Sequence, residues 1–402
     1  MKQKYQIQTV TPVHIGSGET LNQIDGYYAN GRWYHIDLDR VLAHPSTDLN
    51  ALTSDMGKRG FRWERHLRQR SIDPAALSAY NLPCPQSPEE VEIREAIKTV
   101  DNRPFMPGST LKGALRTALL SELIDADGPL YEDSLAYLKN LTRQQGRGNP
   151  RRERPAQKIE RDALGRDPNR DLLRALKISD TAPLESDALE IGMAWTVTLN
   201  QNDQLVQKVD RGREYKNFVQ QIQAGQRLTF TLKIDELLLR EREKARLGFT
   251  DLQEEKLRDI AEVCRSEADQ FMQDEQDFFD YYNLPQIANF YDKLIHLNNM
   301  LPEGAFLLQI GWGTGYHANT VMALFLSNEE SGQASPEVPF MDKQSFRDLR
   351  EHLHLGESRA RRGRYDTREF PKTRRILYRG QNPICPLGWV KISPIEEVGA
   401  VS

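Results

Sequence analysis

Residues 1–19 read MKQKYQIQTVTPVHIGSGE, and the order strand, proline, glycine turn in them sets the architecture. Tyr5, Ile7 and Thr9 alternate with Gln6 and Gln8, the two-residue period of a half-buried β-strand, and Pro12 ends it. A turn on Gly16 and Gly18 follows at once. Working outward, the alternation returns in Leu228, Phe230, Leu232 and Ile234, and strand-like runs occur at Leu176–Ser179 and Leu189–Leu199. All of these are expected to join residues 2–11 in one antiparallel sheet. Within IDGYYANGRWYHID (24–37), Asn30-Gly31 supplies the two positive-φ positions of a type I′ turn, so this stretch is expected as a hairpin. Between the strands, GSTLKGALRTALLSELI (108–124) places Leu111, Ala114, Leu115, Ala118, Leu119 and Leu123 on one stripe of a helix that Ser109 or Thr110 is placed to cap. The pattern after Asp235 turns densely charged and helical, and strands return at Ala305–Ile310 and Leu387–Ile392. The fold class expected is α+β, with residues 1–235 and 236–402 as two units.

The chain has 402 residues, 28% charged and 38% apolar, with a net charge of −4, which excludes collagen-like and disordered classes. Cys84, Cys264 and Cys385 stand far apart without a CxxC pair, so neither a disulfide framework nor a zinc knuckle is expected. The first ten residues carry no apolar signal core, and Gly304–Asn328, though uncharged, is too polar for a membrane span; a cytoplasmic protein without membrane contact is expected. The near-neutral total conceals segregation. Residues 143–174 hold ten Arg/Lys against five Asp/Glu, residues 357–379 nine against three, and residues 267–280 six acids and no base. Such patches suit a nucleic acid or a protein partner, or are simply solvated faces. Gly146–Arg170, with no hydrophobic period, is expected as an irregular insertion.

Three places carry candidate chemistry. Ser109, Thr110, Lys112, Gly113 and Arg116 open the leucine-striped helix and set two cations near its N-terminus, where free amides and the helix dipole favour an anion. Gly113 suggests a close backbone approach, either of a phosphodiester chain or of a neighbouring strand. GSTLKG lacks the spacing of a phosphate-binding Walker loop. GWGTGYH (311–317) offers Gly311, Gly313 and Gly315 between a strand and a helix, with room and amides for a phosphate; as GxGxG it is a weak dinucleotide signal and equally a tight structural turn. TPVHIGSGE (11–19) sets His14 beside Gly16, Ser17 and Gly18. His14 reads as an RNA contact, as a structural turn histidine, or as a base taking a 2′-hydroxyl proton, although no partner acid is identifiable. His352 and His354 lack a third ligand, so no metal site and no cofactor is expected.

TPVHIGSGE after the first strand, PGSTLKGALR (107–116), IGWGTGYH (310–317) and PLGWVKI (386–392) together resemble the RAMP superfamily of CRISPR proteins, and most closely the fifth Csm subunit of type III-A effector complexes. The resemblance implies a ferredoxin-like (RRM-like) core with large helical insertions and a C-terminal helical or degenerate RRM-like part. It implies a non-catalytic subunit that binds the crRNA at its 3′ end and assists maturation of that end in antiviral defence. Its implied partners are the neighbouring RAMP backbone subunit, other Csm subunits, target RNA and host trimming nucleases. Carried over, the RNA-contacting positions are His14 to Gly18, then Ser109, Lys112 and Arg116, then Gly311, Gly313 and Gly315 with His317. The late loop departs from many relatives in having His317 and Asn319 in place of Lys or Arg, which points to a weaker or a purely amide-mediated phosphate contact. The competing readings are a metal-independent endoribonuclease that processes pre-crRNA with His14 as base, and a RAMP subunit of a type III-B complex.

Overall fold

The alternation at the start of the chain forms strand β1 (Lys2–Thr9), which buries Tyr5, Ile7 and Thr9 and leaves Lys2, Lys4, Gln6 and Gln8 on its other face. The structure, a computed structural model, describes residues 2–58, 60–88, 92–143, 155–210, 212–326, 340–357 and 370–395. Next come β2 (Gly16–Leu21) and the expected hairpin, β3 (Gly26–Ala29) and β4 (Arg32–Ile36). Asn30 and Gly31 sit at φ 49° and 73° in its turn. Helices α1 (Leu38–Ala43), α2 (Leu49–Met56), α3 (Trp63–Arg70) and α4 (Pro74–Leu77) lead to β5 (Ser78–Pro83). These helices and the β3-β4-β5 sheet enclose a small core of their own around Trp63, Leu67 and Leu77. Strand β6 (Ile93–Ala96), α5 (Gly108–Ala126), α6 (Gly128–Arg143) and α7 (Pro155–Leu164) follow.

The strands continue as β7 (Leu176–Ile178), β8 (Leu189–Leu199), β9 (Leu205–Gln207), the short pair β10 (Val209–Asp210) and β11 (Arg213–Glu214), β12 (Lys216–Ile222) and β13 (Arg227–Ile234). Helices α8 (Glu241–Leu247), α9 (Asp251–Arg258), α10 (Ile260–Tyr281) and α11 (Pro285–Asn299) make the helical stretch. The end of the described chain holds β14 (Phe306–Gln309), α12 (Lys343–His352), β15 (Thr373–Arg379), β16 (Asn382–Pro386) and β17 (Trp389–Pro394).

Strand β1 lies at the centre of a five-stranded antiparallel sheet ordered β14-β17-β1-β13-β7. Taken in chain order, β1, α5, β7, β13, α10–α11 and β14 are the β-α-β-β-α-β succession of a ferredoxin-like unit, with other elements inserted between them. Tyr5 stands opposite Phe230, their rings stacked at 5.6 Å, and Ile7 stands opposite Leu228. On this apolar face lies the leucine stripe of α5: Leu111, Leu115, Leu119 and Leu123 are buried in one cluster with Ile7, Phe230 and Leu232. Burial of each such side chain stabilises the fold by about 1.5–3 kcal/mol.

Four expectations are corrected. Strand β8 does not join β1; it is central in a second sheet, β16-β15-β8-β12-β6-β2, in which β12 and β6 run parallel. Alternation shows that a strand has a buried face, not which sheet it enters. Residues 155–164 are helical rather than irregular, burying Ile159, Ala163 and Leu164. The late loop is followed by two 3-10 turns, His317–Asn319 and Met322–Phe325, in place of a continuous helix. The boundary at residue 235 marks a change of composition rather than of topology. Strands β14 and β17 complete the β1 sheet, β15 and β16 complete the second, and the main core runs from Tyr5 to Ile392.

Candidate nucleic-acid interface

The segment after β1 is drawn inward before it turns. Val13 exchanges backbone hydrogen bonds with Ile222 at 2.9 and 2.8 Å, and His14, 1% exposed, lies with Nδ1 2.6 Å from the carbonyl oxygen of Gln220. A carbonyl only accepts, so Nδ1 carries a proton. Burial, reinforced by the charge of Arg94, pushes its pKa down to about 4. The ring therefore presents no surface to a ligand and is a weak base. Beyond it, Gly16, Ser17, Gly18 and Glu19 are exposed and form an irregularity where β2 meets β6. The Ser17 hydroxyl donates to Glu95 Oε2 at 3.1 Å.

The late loop is knitted onto this turn. Trp312 N–H donates to the His14 carbonyl at 2.8 Å, and Ile310 N–H donates to the Gly388 carbonyl at 2.9 Å. Gly311 has φ +79°, and a Cβ there would run into the His14 carbonyl oxygen, so the close approach demands glycine. The Asn319 amide donates to Thr314 Oγ1 at 2.8 Å, bracing the loop from within. His317 is pushed down to about pKa 4, first by burial and then by the charge of Arg374, so it is no cation here. The two expected glycine motifs thus meet at one place.

The start of α5 is organised otherwise. Its N-cap is Pro107 without a side-chain cap; Ser109 and Thr110 stand inside the first turn rather than capping it. Asp180 serves instead, its Oδ1 accepting from Gly108 N–H at 2.7 Å. The close backbone approach is also at Gly108, where a Cβ would sit 2.5 Å from the Ile178 carbonyl oxygen, whereas Gly113 faces open space. Both cations have intramolecular partners. Lys112 Nζ donates to the carbonyls of Leu173 and Leu176 at 2.7 and 2.8 Å, and burial lowers its pKa. Arg116 pairs with Glu160 at 3.3 Å and lies 3.9 Å from Asp171. A cleft of about 590 Å³ lined by Ser109, Lys112, Arg174, Lys177 and Asp235 opens beside them. This helix end abuts β7, and the glycine loop follows β14, so the two sit at opposite edges of the β1 sheet.

Register brings out a polar surface that the sequence did not disclose. Lys2, Lys233 and Lys177 stand side by side across β1, β13 and β7, with Lys4 and Arg227 on the same open face. Each is the polar member of an alternating strand, read singly as solvated; only pairing aligns them. Of the basic segments 143–174 and 357–379, residues 144–154 and 358–369 lie outside the described residues. Among the described residues no group of three or more His, Cys, Asp or Glu could hold a metal ion, and no helix is long and apolar enough to cross a membrane.

Comparison with known proteins gives a consistent result. The protein named CRISPR system Cms protein Csm5 from Methanocaldococcus jannaschii is 23% identical over 406 residues, covering 97% of this chain and 88% of that protein. Its namesake from Streptococcus thermophilus is 23% identical over 226 residues, covering 50% of this chain and 57% of its own. Among solved structures, a chain of a Csm-crRNA-target RNA ternary complex of a type III-A CRISPR-Cas system aligns over 98% of this chain and 100% of its own, with TM-score 0.71 and 21% identity. The crystal structure of T. onnurineus Csm5 aligns over 96% and 99%, with TM-score 0.64 and 21% identity. The family model of the RAMP superfamily matches residues 6–316, well over half of the sequence and both knitted glycine turns, and the chain therefore belongs to that superfamily.

Proposed function

We propose that this chain is a non-catalytic crRNA-binding subunit of a type III-A CRISPR (Csm) effector complex, seated at the 3′ end of the crRNA. The observation that carries the reading is the Trp312 N–H to His14 carbonyl bond, which sets the exposed turn Gly16–Gly18 beside the loop Gly311–Gly315. Backbone amides at such turns suit phosphate oxygens and are indifferent to base identity. His14 supports the turn from beneath, and its burial and low pKa argue against a nuclease that uses it as base. Lys112 and Arg116 are assigned to bracing α5 rather than to RNA. The likeness to Csm5 proteins and to a chain of a crRNA-bearing complex supports the subunit assignment. The subunit would contact a neighbouring RAMP subunit and favour 3′-end trimming by recruited nucleases.

The test is purification of the effector complex with and without this chain, followed by sequencing of the bound RNA. Guides with a constant repeat-derived 5′ tag, whose 3′ ends lengthen or scatter when the chain is omitted, are expected. Unchanged 3′ ends would refute the end-capping role. Incubation of the chain with repeat RNA in EDTA is expected to leave the RNA intact; defined cleavage lost in His14→Ala would establish the nuclease instead.

A further inference from the structure

Trp312 is held by its own N–H and lies over one face of the second sheet, packed with Ala194, Val219, Leu377 and Leu387. Two arginines reach it from strands that are not neighbours. Arg94 on β6 has its guanidinium carbon 5.4 Å from the ring centroid, and Arg375 on β15 has its own at 4.6 Å. In the sheet, β8 and β12 separate those two strands; their Ala194 and Val219 pack with the indole, and the Gln221 side chain lies over Gly192. Among the described residues neither guanidinium has a carboxylate or hydrogen-bond partner. Glu95 and Glu190, the acids on these four strands, engage Lys98 at 2.8 Å and Gln221 at 2.8 Å. Two like charges therefore converge on one indole without a counter-ion, and burial together with Arg94 lowers the pKa of Arg375.

A guanidinium stacked on an aromatic face is pre-oriented, and its in-plane N–H groups remain open to a planar or tetrahedral anion. Arg94 is also in register with Thr20 of β2, so the patch is continuous with the Gly16–Glu19 turn. We infer that Arg94, Trp312 and Arg375 form a clamp for a phosphodiester group of single-stranded RNA, continuing the path offered by the two glycine turns. The inference rests on the RNA-binding reading above and adds side-chain donors to what were only amides.

The test uses the full chain and a labelled single-stranded RNA, with affinity followed by fluorescence anisotropy across a salt series. Arg94→Ala and Arg375→Ala are each expected to weaken binding about 5- to 30-fold and to reduce the slope of log K against log salt by about 0.7. Arg375→Lys should recover the slope but only part of the affinity, because the charge returns without the stacked fork. RNA should change the tryptophan emission of the unsubstituted chain and not that of Trp312→Phe. Thermal denaturation of each variant checks that the fold is kept. If the unsubstituted chain binds and both arginine variants bind equally well with the same slope, the clamp is wrong while RNA binding stands. If the unsubstituted chain binds no RNA at low salt, the functional reading fails and takes the clamp with it. Variants that keep RNA affinity yet drop out of the assembled complex would make the patch a protein interface, which overturns the clamp.

Discussion

At the junction of the first glycine turn and the late loop, backbone groups lock to one another while the neighbouring Arg94 and Arg375 keep their donors open. At the start of α5 the reverse holds: Asp180 occupies the first amide, and Lys112 and Arg116 are tied to carbonyls and carboxylates of the same chain. Both regions combine glycine with positive charge, the composition associated with polyanion binding. The difference between them is bookkeeping of donors. A cation whose donors are satisfied internally must break those bonds to meet a phosphate, whereas an arginine resting on an indole need not.

The sharpest way to break the comparison is Gly311→Val, which places a branched side chain at φ +79° against the His14 carbonyl. A loss of about 2–4 kcal/mol in urea denaturation is expected, with RNA affinity falling alongside as the loops part. Lys112→Ala should act on stability alone, costing about 1–2 kcal/mol through two lost charge-assisted bonds and leaving the salt slope of RNA binding unchanged. A slope reduced by about 0.7 would return the helix to the interface. Asp180→Ala should cost about 1 kcal/mol, the worth of a helix cap, readable as a lower denaturation midpoint.

The smallest effects are in pH, where His14 at the junction and Glu267 beside the far half of α5 titrate in opposite senses. His14, buried and neutral, has its pKa lowered from 6.5 to about 4, so its contribution to stability is complete above pH 6.5 and is lost as pH falls toward 4. Glu267, on α10 against the far half of α5, is pushed up to about 7, chiefly by burial, with the Ser121 hydroxyl opposing and Glu122 and Asp125 adding to the rise. Its contribution is complete below pH 4.5 and is lost as pH rises through 7. Denaturation midpoints across pH should flatten on the acid side in His14→Gln and on the neutral side in Glu267→Gln; parallel profiles for both variants and the unsubstituted chain would contradict this.

Local patterns were legible in the sequence. Alternation located β1 and β13, Asn30-Gly31 located the hairpin, and the leucine stripe located α5, because each depends on neighbours in the chain. The two glycine motifs were also visible as candidates. Their union was not, since it hangs on a hydrogen bond between Trp312 and His14, residues far apart in the chain. The same distance hid the partners of Lys112, which are carbonyls with no side-chain signal, and misassigned the close approach to Gly113 instead of Gly108. Arg94 carried no mark of its own and Arg375 was one cation among nine in residues 357–379; they converge only through the order β15-β8-β12-β6. Ile159 and Ala163 were overlooked because a single i, i+4 pair amid arginines barely registers as a period.

The pairing of β17 with β1 has a consequence for biosynthesis. Strand β1 must wait with one hydrogen-bonding edge bare until Trp389 to Pro394 have been translated, and an uncovered edge invites association with other chains. Truncations that stop short of Trp389 should accordingly be recovered as aggregates.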